Sequence, residues 1–155
     1  MAYYSDWSSL IAAVQVKCGE ILDEYVRPVA EDILHEHITD DIYSSYSPVG
    51  SDAGGYDRRD LLGSRENTIG RLEGSDTLRV TNIAPPAPSI WGSGGGGDED
   101  RLLYWIENGL VPNYFNEFDY VWMHPRPAVE NAQSEINMSG EIRTAIQEGI
   151  KQKIR

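Results

Sequence analysis

An α+β fold, with a small antiparallel or mixed sheet packed against long N-terminal and C-terminal helices, is predicted by three stretches of this sequence. From Trp7 to Ile38 apolar residues recur at steps of three and four, from Asp76 to Ile83 they alternate, and from Val129 to Ile154 the helical rhythm returns. A chain of 155 residues is sized for one domain, spanning 1–155, with exposed loops expected at about 44–66 and 84–99.

In the first stretch Leu10, Ile11, Val14, Cys18, Ile21, Leu22, Tyr25, Val26, Val29, Ile33, Leu34 and Ile38 form one apolar face. A face of that kind is expected to meet a core, and Cys18 lies on it. Either Asp6 or Ser5 can cap the helix, because a short side-chain oxygen there accepts an unpaired backbone N–H. Pro28 removes one helical hydrogen bond and crowds the preceding turn. It predicts either a kink near Tyr25 or a second helix that begins at Pro28.

The rhythm is lost from Asp40 to Gly74, where Pro48, Gly50, Gly54, Gly55 and several serines favour loop. Leu78, Val80 and Asn82 then alternate with Thr77, Arg79 and Thr81 as a strand. Asn67, Thr68 and Ile69 start a shorter partner strand that ends at Gly70 or Gly74. Pro85, Pro86 and Pro88 stop the ladder. The glycine run 92–97 lacks the lysine-bearing frame of a phosphate-binding loop and reads as a hinge, a disordered loop or a remnant of cloning.

Acids at 98–100 suit a helix N-terminus, and Leu102, Leu103 and Ile106 make a short helix that Asn108-Gly109 ends in a left-handed cap. The same run also fits a strand, since periodicity does not decide so short a segment. Phe118, Tyr120 and Trp122 alternate as a further strand, and Arg126-Pro127 opens the closing helix, interrupted near Ser139-Gly140.

The charge balance argues against a polyphosphate partner, with 25 Asp and Glu against 13 Lys and Arg. Eight of the acids fall between Glu20 and Asp41 against the single base Arg27, so the front helix is expected either to meet a basic partner or to line a channel. Arg58, Arg59, Arg65 and Arg71 form the one locally basic region, which reads as inter-subunit ion pairs or a solvated face ahead of a nucleic-acid stripe. The single cysteine, Cys18, permits neither an internal disulfide nor a cysteine metal cluster, and fits a reducing compartment. No apolar run of about 18 residues occurs, and no membrane association is expected.

Three places carry residue types used in catalysis or metal binding. His35 and His37 are two apart, diverge on a helix and find no third ligand at motif spacing, so they read as solvated helix-end histidines. His124 sits beside Pro125 without a serine or cysteine on a recognisable elbow. Glu107 reads as an acid pairing with an arginine such as Arg126. A small soluble enzyme using His124, Glu107 and Arg126 is the alternative to a structural role.

Tyr46-Ser47-Pro48, Tyr56-Asp57-Arg58-Arg59, Leu61-Leu62, the strand Leu78 to Asn82, the segment Leu103 to Gly109, and Pro125-Arg126-Pro127 with its helix occur in that order. Taken together they resemble a family of minor structural proteins of long-tailed bacteriophages and prophages, which act at the head-to-tail junction, in the neck, or in tail completion. The chain departs from that pattern at Ala128, where relatives carry a phenylalanine, and in the length of its glycine run; Trp122 or Phe118 is expected to fill the missing ring's place. The resemblance implies a virion subunit with no catalytic, cofactor or metal residues, made in the host bacterial cytoplasm. It also implies a ring, six-fold like a tail tube, with copies of itself and neighbouring neck or tail proteins as partners. DNA would pass without specific binding. Tyr56, Arg58, Arg59, Tyr104, Glu107, Trp122 and Arg126 are the expected interface residues.

Overall fold

Asp6 opens the first helix, its Oδ1 accepting the Ser9 N–H at 2.8 Å. In the computed structural model, which describes residues 6–44, 62–84, 102–109 and 125–154, the backbone then stays helical as far as Tyr43. Helix α1 (Trp7–Ile21) passes through a π-helical segment (Leu22–Val26) into α2 (Arg27–His37), and a second π segment follows (Ile38–Tyr43). Pro28 therefore stands in the first turn of α2, one residue from the start expected for a second helix, and the backbone stays helical through Val26. The Arg27 N–H reaches back five residues to the Leu22 carbonyl. That widening falls one residue before the proline, whose ring would otherwise crowd the carbonyl of Glu24.

The loop expected from Asp40 begins later than the loss of rhythm suggested, because the second π turn carries Ile42 into the core. Its far end is not exposed either: Leu62 is fully buried. A single 3-10 turn (Arg65–Asn67) leads into β1 (Thr68–Glu73), which pairs antiparallel with β2 (Thr77–Asn82). The hairpin turns at Gly74, whose φ of +79° lies where a side chain would be strained. Leu72 faces Leu78, Gly70 faces Val80 and Thr68 faces Asn82, so the alternation in the sequence becomes one covered face of a two-stranded sheet.

This hairpin is fastened to α2 by acids that the sequence left as a bare acidic run. Glu31 accepts the Gly70 N–H at 2.7 Å and pairs with Arg65 at 3.1 Å. Arg65 also meets Asp32 at 2.7 Å and donates to the Thr68 carbonyl. Elsewhere Lys17, Arg27, Lys153 and His37 pair with Glu20, Asp23, Glu24 and Asp41. The front helix is therefore a largely neutralised surface rather than an open acidic face.

The run from Leu102 is helical: α3 (Leu102–Asn108) ends at Gly109 with φ +63°, the left-handed cap its sequence suggested. The closing stretch divides at Ser139 into α4 (Ala128–Met138) and α5 (Gly140–Lys153). Ala128 and Ala132, one turn apart, are both buried where α4 meets α2. Alanine at 128 is itself in the core, so the helix docks by close approach of small side chains. The strand expected at 118–122 lies outside the described residues, as do the glycine run 92–97 and most of both expected loops.

Two clusters hold these pieces. The larger joins Ile33, Leu34, Ile38, Ile42, Leu62, Ala84, Leu103, Ile106, Ala128 and Ala132. The smaller joins Ile21, Val26 and Ala145, where α5 runs back along the first helix. Both lie C-terminal to Gly19, so the expected core face of α1 is only half used. Trp7 is 80 % exposed, Ile11 54 % and Val14 48 %, and Cys18 is exposed rather than in the core. Periodicity marks a face that can be buried; burial needs an element to arrive on it, and the hairpin and α5 arrive only from Gly19 onward.

Candidate functional site

At the far end of the first helix, the residues that carried the sequence pattern converge. Tyr104 and Glu107 on α3 line a cleft of about 140 Å³ with Arg79, Thr81 and Asn82 of β2, Leu103, and Val129 of α4. The Glu107 carboxylate accepts the Glu130 N–H at 3.2 Å and a second bond from the Val129 N–H. These are orphan donors of the first turn of α4, which Pro127, having no polar side chain, leaves uncapped. Glu107 is therefore the cap of another helix, supplied across the fold.

Arg126 does not take the carboxylate expected for it. Its Nη1 donates to the Ile42 carbonyl at 3.1 Å, satisfying an acceptor near the end of the first long helix, while its backbone N–H binds the Ile106 carbonyl. Glu107 and Arg126 thus face two different helix termini, and together they fix where α4 begins. Tyr104 stays partly exposed at the rim. Tyr56, Arg58, Arg59, Trp122 and His124 lie outside the described residues; among the described residues, Tyr104, Glu107 and Arg126 come together.

Burial raises the Glu107 carboxyl above the ordinary range; its backbone hydrogen bonds pull it down, and the neighbouring Glu130 pushes it up again. A carboxyl raised in the folded state adds stability at low pH and loses that contribution as pH rises through the folded value. Glu107→Gln keeps an acceptor for α4 without the buried charge, and is expected to match or exceed the parent near neutral pH. Glu107→Ala removes the cap and should cost about 1 kcal/mol. Urea titrations at neutral pH check both, and a glutamine variant as unstable as the alanine would contradict the capping role.

Sequence reasoning missed the second polar cluster. His37 Nδ1 lies 2.9 Å from Asp41 and Nε2 lies 2.8 Å from Glu135 of α4, while Asn131 also donates to Asp41. His37, Asn131 and Glu135 border a hollow of about 460 Å³ with Ser134, Met138 and Ser139. The i,i+4 spacing of His37 and Asp41 was legible, but Glu135 was not. A carboxylate on each nitrogen favours the protonated ring, which in that form donates to both Asp41 and Glu135.

Partial burial acts to lower the His37 pKa, but hydrogen bonds and charge from Asp41 and Glu135 outweigh it and leave the ring raised above its usual 6.5. The bridge then contributes fully below about pH 6.5, the unfolded value, and fades as pH rises through the folded one. His37→Gln should flatten that decline above about pH 6.5 in thermal melts. If the variant keeps the parent's slope, the bridge is not its source.

Among the described residues no group of three His, Cys, Asp or Glu side chains is placed to hold a metal ion, and no helix is long and apolar enough to cross a membrane. No curated protein and no solved structure matches the chain. The model of the YomN family matches residues 6–152, from the N-cap of α1 to one residue short of the end of α5. The chain belongs to the YomN family. The YomN match spans the front helix, the hairpin and both closing helices, so the capping pair Glu107 and Arg126 and the His37 bridge all lie inside the family's extent.

Proposed function

We propose that this chain is a structural subunit of a tailed-phage virion, part of the head-tail connector or neck, or the piece that completes the head-proximal end of the tail. The observation that carries the reading is the use made of the pattern residues: Glu107 and Arg126 spend their polar groups on the ends of two helices. That use sets the geometry of a scaffold. On this reading the protein has no catalytic role and needs no cofactor. It is made in the host cytoplasm and taken into the particle, where it contacts copies of itself in a ring and neighbouring neck or tail proteins.

Tyr56, Arg58, Arg59 and Trp122 are the proposed contact residues, with Tyr104 at the cleft rim beside them in role. Changing Arg58 and Arg59 together to Glu should leave the far-ultraviolet circular dichroism unchanged and reduce incorporation into particles. Normal incorporation would remove these arginines from the contact. The reading as a whole is tested by gold-labelled antibody on intact particles viewed by negative-stain electron microscopy. Label at the head-to-tail junction is the expected result. Reproducibly unlabelled particles, with an accessible-epitope control in place, would overturn it.

A further inference from the structure

The two carboxylates on His37 do not stand on the same footing. Asp41 lies one turn along the same helix, its side chain is 27 % exposed, and its Oδ2 takes the Asn131 amide as well as the ring Nδ1. Glu135 reaches the ring from α4, its side chain is 42 % exposed, and it has no other side-chain partner among the described residues. Among those residues these two acids are the charged groups acting on the ring, one from the second π segment and one from α4. Glu36 and Asp40 of its own helix are exposed, and Arg126 at the same helix end donates to the Ile42 carbonyl.

A neutral imidazole has one N–H and one lone pair. On losing a proton the ring therefore keeps a donor for one carboxylate, and the other faces a lone pair at hydrogen-bond distance. Asp41 is held where it is by Asn131 and by the helix it shares with the ring. Glu135, on a longer side chain and nearly half exposed, can turn into water. We propose that the bridge is a one-sided proton latch: the deprotonated ring keeps its proton on Nδ1, toward Asp41, and Glu135 is the partner let go. Because the ring is raised above its usual 6.5, the latch stays closed through mildly acid solution and opens as pH rises through the folded value.

Release acts on the part of α4 with the least apolar anchorage. Ala128 and Ala132 bury the first half of the helix, and Asn131 ties that half to Asp41 whatever the charge of the ring. Beyond them Ile136 is partly buried, Met138 is 80 % exposed, and Ser139 leaves helical geometry with a ψ of 149°. The Ser139 Oγ is buried without a partner among the described residues and does not cap α5. Helix α5 is anchored separately, by Ala145 and Gly149 near Ile21. The junction at Ser139 is thus a hinge between two fastened pieces, and the hollow beside it has His37 on one side and the end of α4 on the other. The inference rests on His37 and α4 and not on the virion reading, so unlabelled particles would leave it standing.

Nitrogen-15 spectra of the imidazole in the full chain, titrated upward from about pH 5.5 and assigned by loss of the signal in His37→Gln, read the ring directly. Both ring nitrogens should be protonated at the start, and the neutral ring should carry its proton on Nδ1. Over the same titration the Ser139 amide, bonded to the Glu135 carbonyl, should lose exchange protection about fivefold relative to Ala145 in α5, after correction for the intrinsic rate. Asp41→Asn removes the charge that holds the proton on Nδ1; its neutral ring should be protonated on Nε2 and keep Ser139 protected. Glu135→Gln should make the protection ratio independent of pH. A neutral parent ring protonated on Nε2, or Ser139 and Ala145 losing protection in step, would overturn the proposal.

Discussion

Gly149→Val is expected to destabilise the fold by about 3 kcal/mol, near the upper end of what overpacking a filled site costs. A Cβ at Gly149 would stand 2.6 Å from Ile21 Cγ2 and 3.1 Å from its Cγ1, with Tyr25 Cδ2 at 3.2 Å. The obstructing methyl sits on a β-branched carbon with one favoured rotamer in a helix, so it does not swing aside. Even Gly149→Ala should lose stability, although in an exposed helix the same change would gain about 1 kcal/mol from propensity alone. The sign of the alanine variant therefore decides between propensity and packing. A double-mutant cycle isolates the contact: Ile21→Ala removes the offending methyl, and the pair should be less destabilised than the sum of the singles by about 1 kcal/mol. Strict additivity in urea unfolding would mean that α5 does not press on Ile21 as described.

Asn82→Ala should cost a similar amount for a different reason. Asn82 is 1 % exposed and spends both ends of its amide: Nδ2 donates to the Leu62 carbonyl at 3.0 Å and to Thr68 Oγ1 at 3.2 Å, and Oδ1 accepts the Ala84 N–H at 2.9 Å. Truncation leaves those groups without their partner, and each unsatisfied buried group costs about 1–3 kcal/mol. A net loss of about 3 kcal/mol is expected once partial relaxation of the ends at Leu62 and Ala84 is allowed for. Asn82→Asp should be comparably harmful near neutral pH, because it removes the donor and adds a buried charge. Because Asn82 ties both segments leaving the hairpin to its base, amide exchange at Ala84 should accelerate more than exchange in α5. Equal acceleration at both places would show global unfolding with no local role for the side chain.

What the sequence determined by itself is the local structure. The helical run from Trp7, the strand at Leu78 to Asn82 and the break near Ser139 follow from side-chain periodicity and backbone freedom, whereas the choices of Asp6 over Ser5 as cap, of Gly74 over Gly70 as turn and of helix over strand from Leu102 came with the fold. Periodicity and backbone freedom act within a few residues, so a single sequence reports them. Tyr104, Glu107 and Arg126 were legible as a group, but not their roles: an acid and an arginine suggest each other, and here each found a helix terminus instead.

Only the tertiary structure decided which surfaces are covered. Cys18 shares an apolar stripe with Ile21, yet Ile21 is buried and Cys18 is not, because α5 and the hairpin arrive beyond Gly19. The bridge from His37 to Glu135 joins residues 98 positions apart, and the latch from Glu31 to Arg65 joins residues 34 apart. Pairing across such distances depends on where two elements dock. Docking depends on the shape of the packed core, which sums small apolar contacts over many side chains and leaves no mark at either partner's position in the sequence.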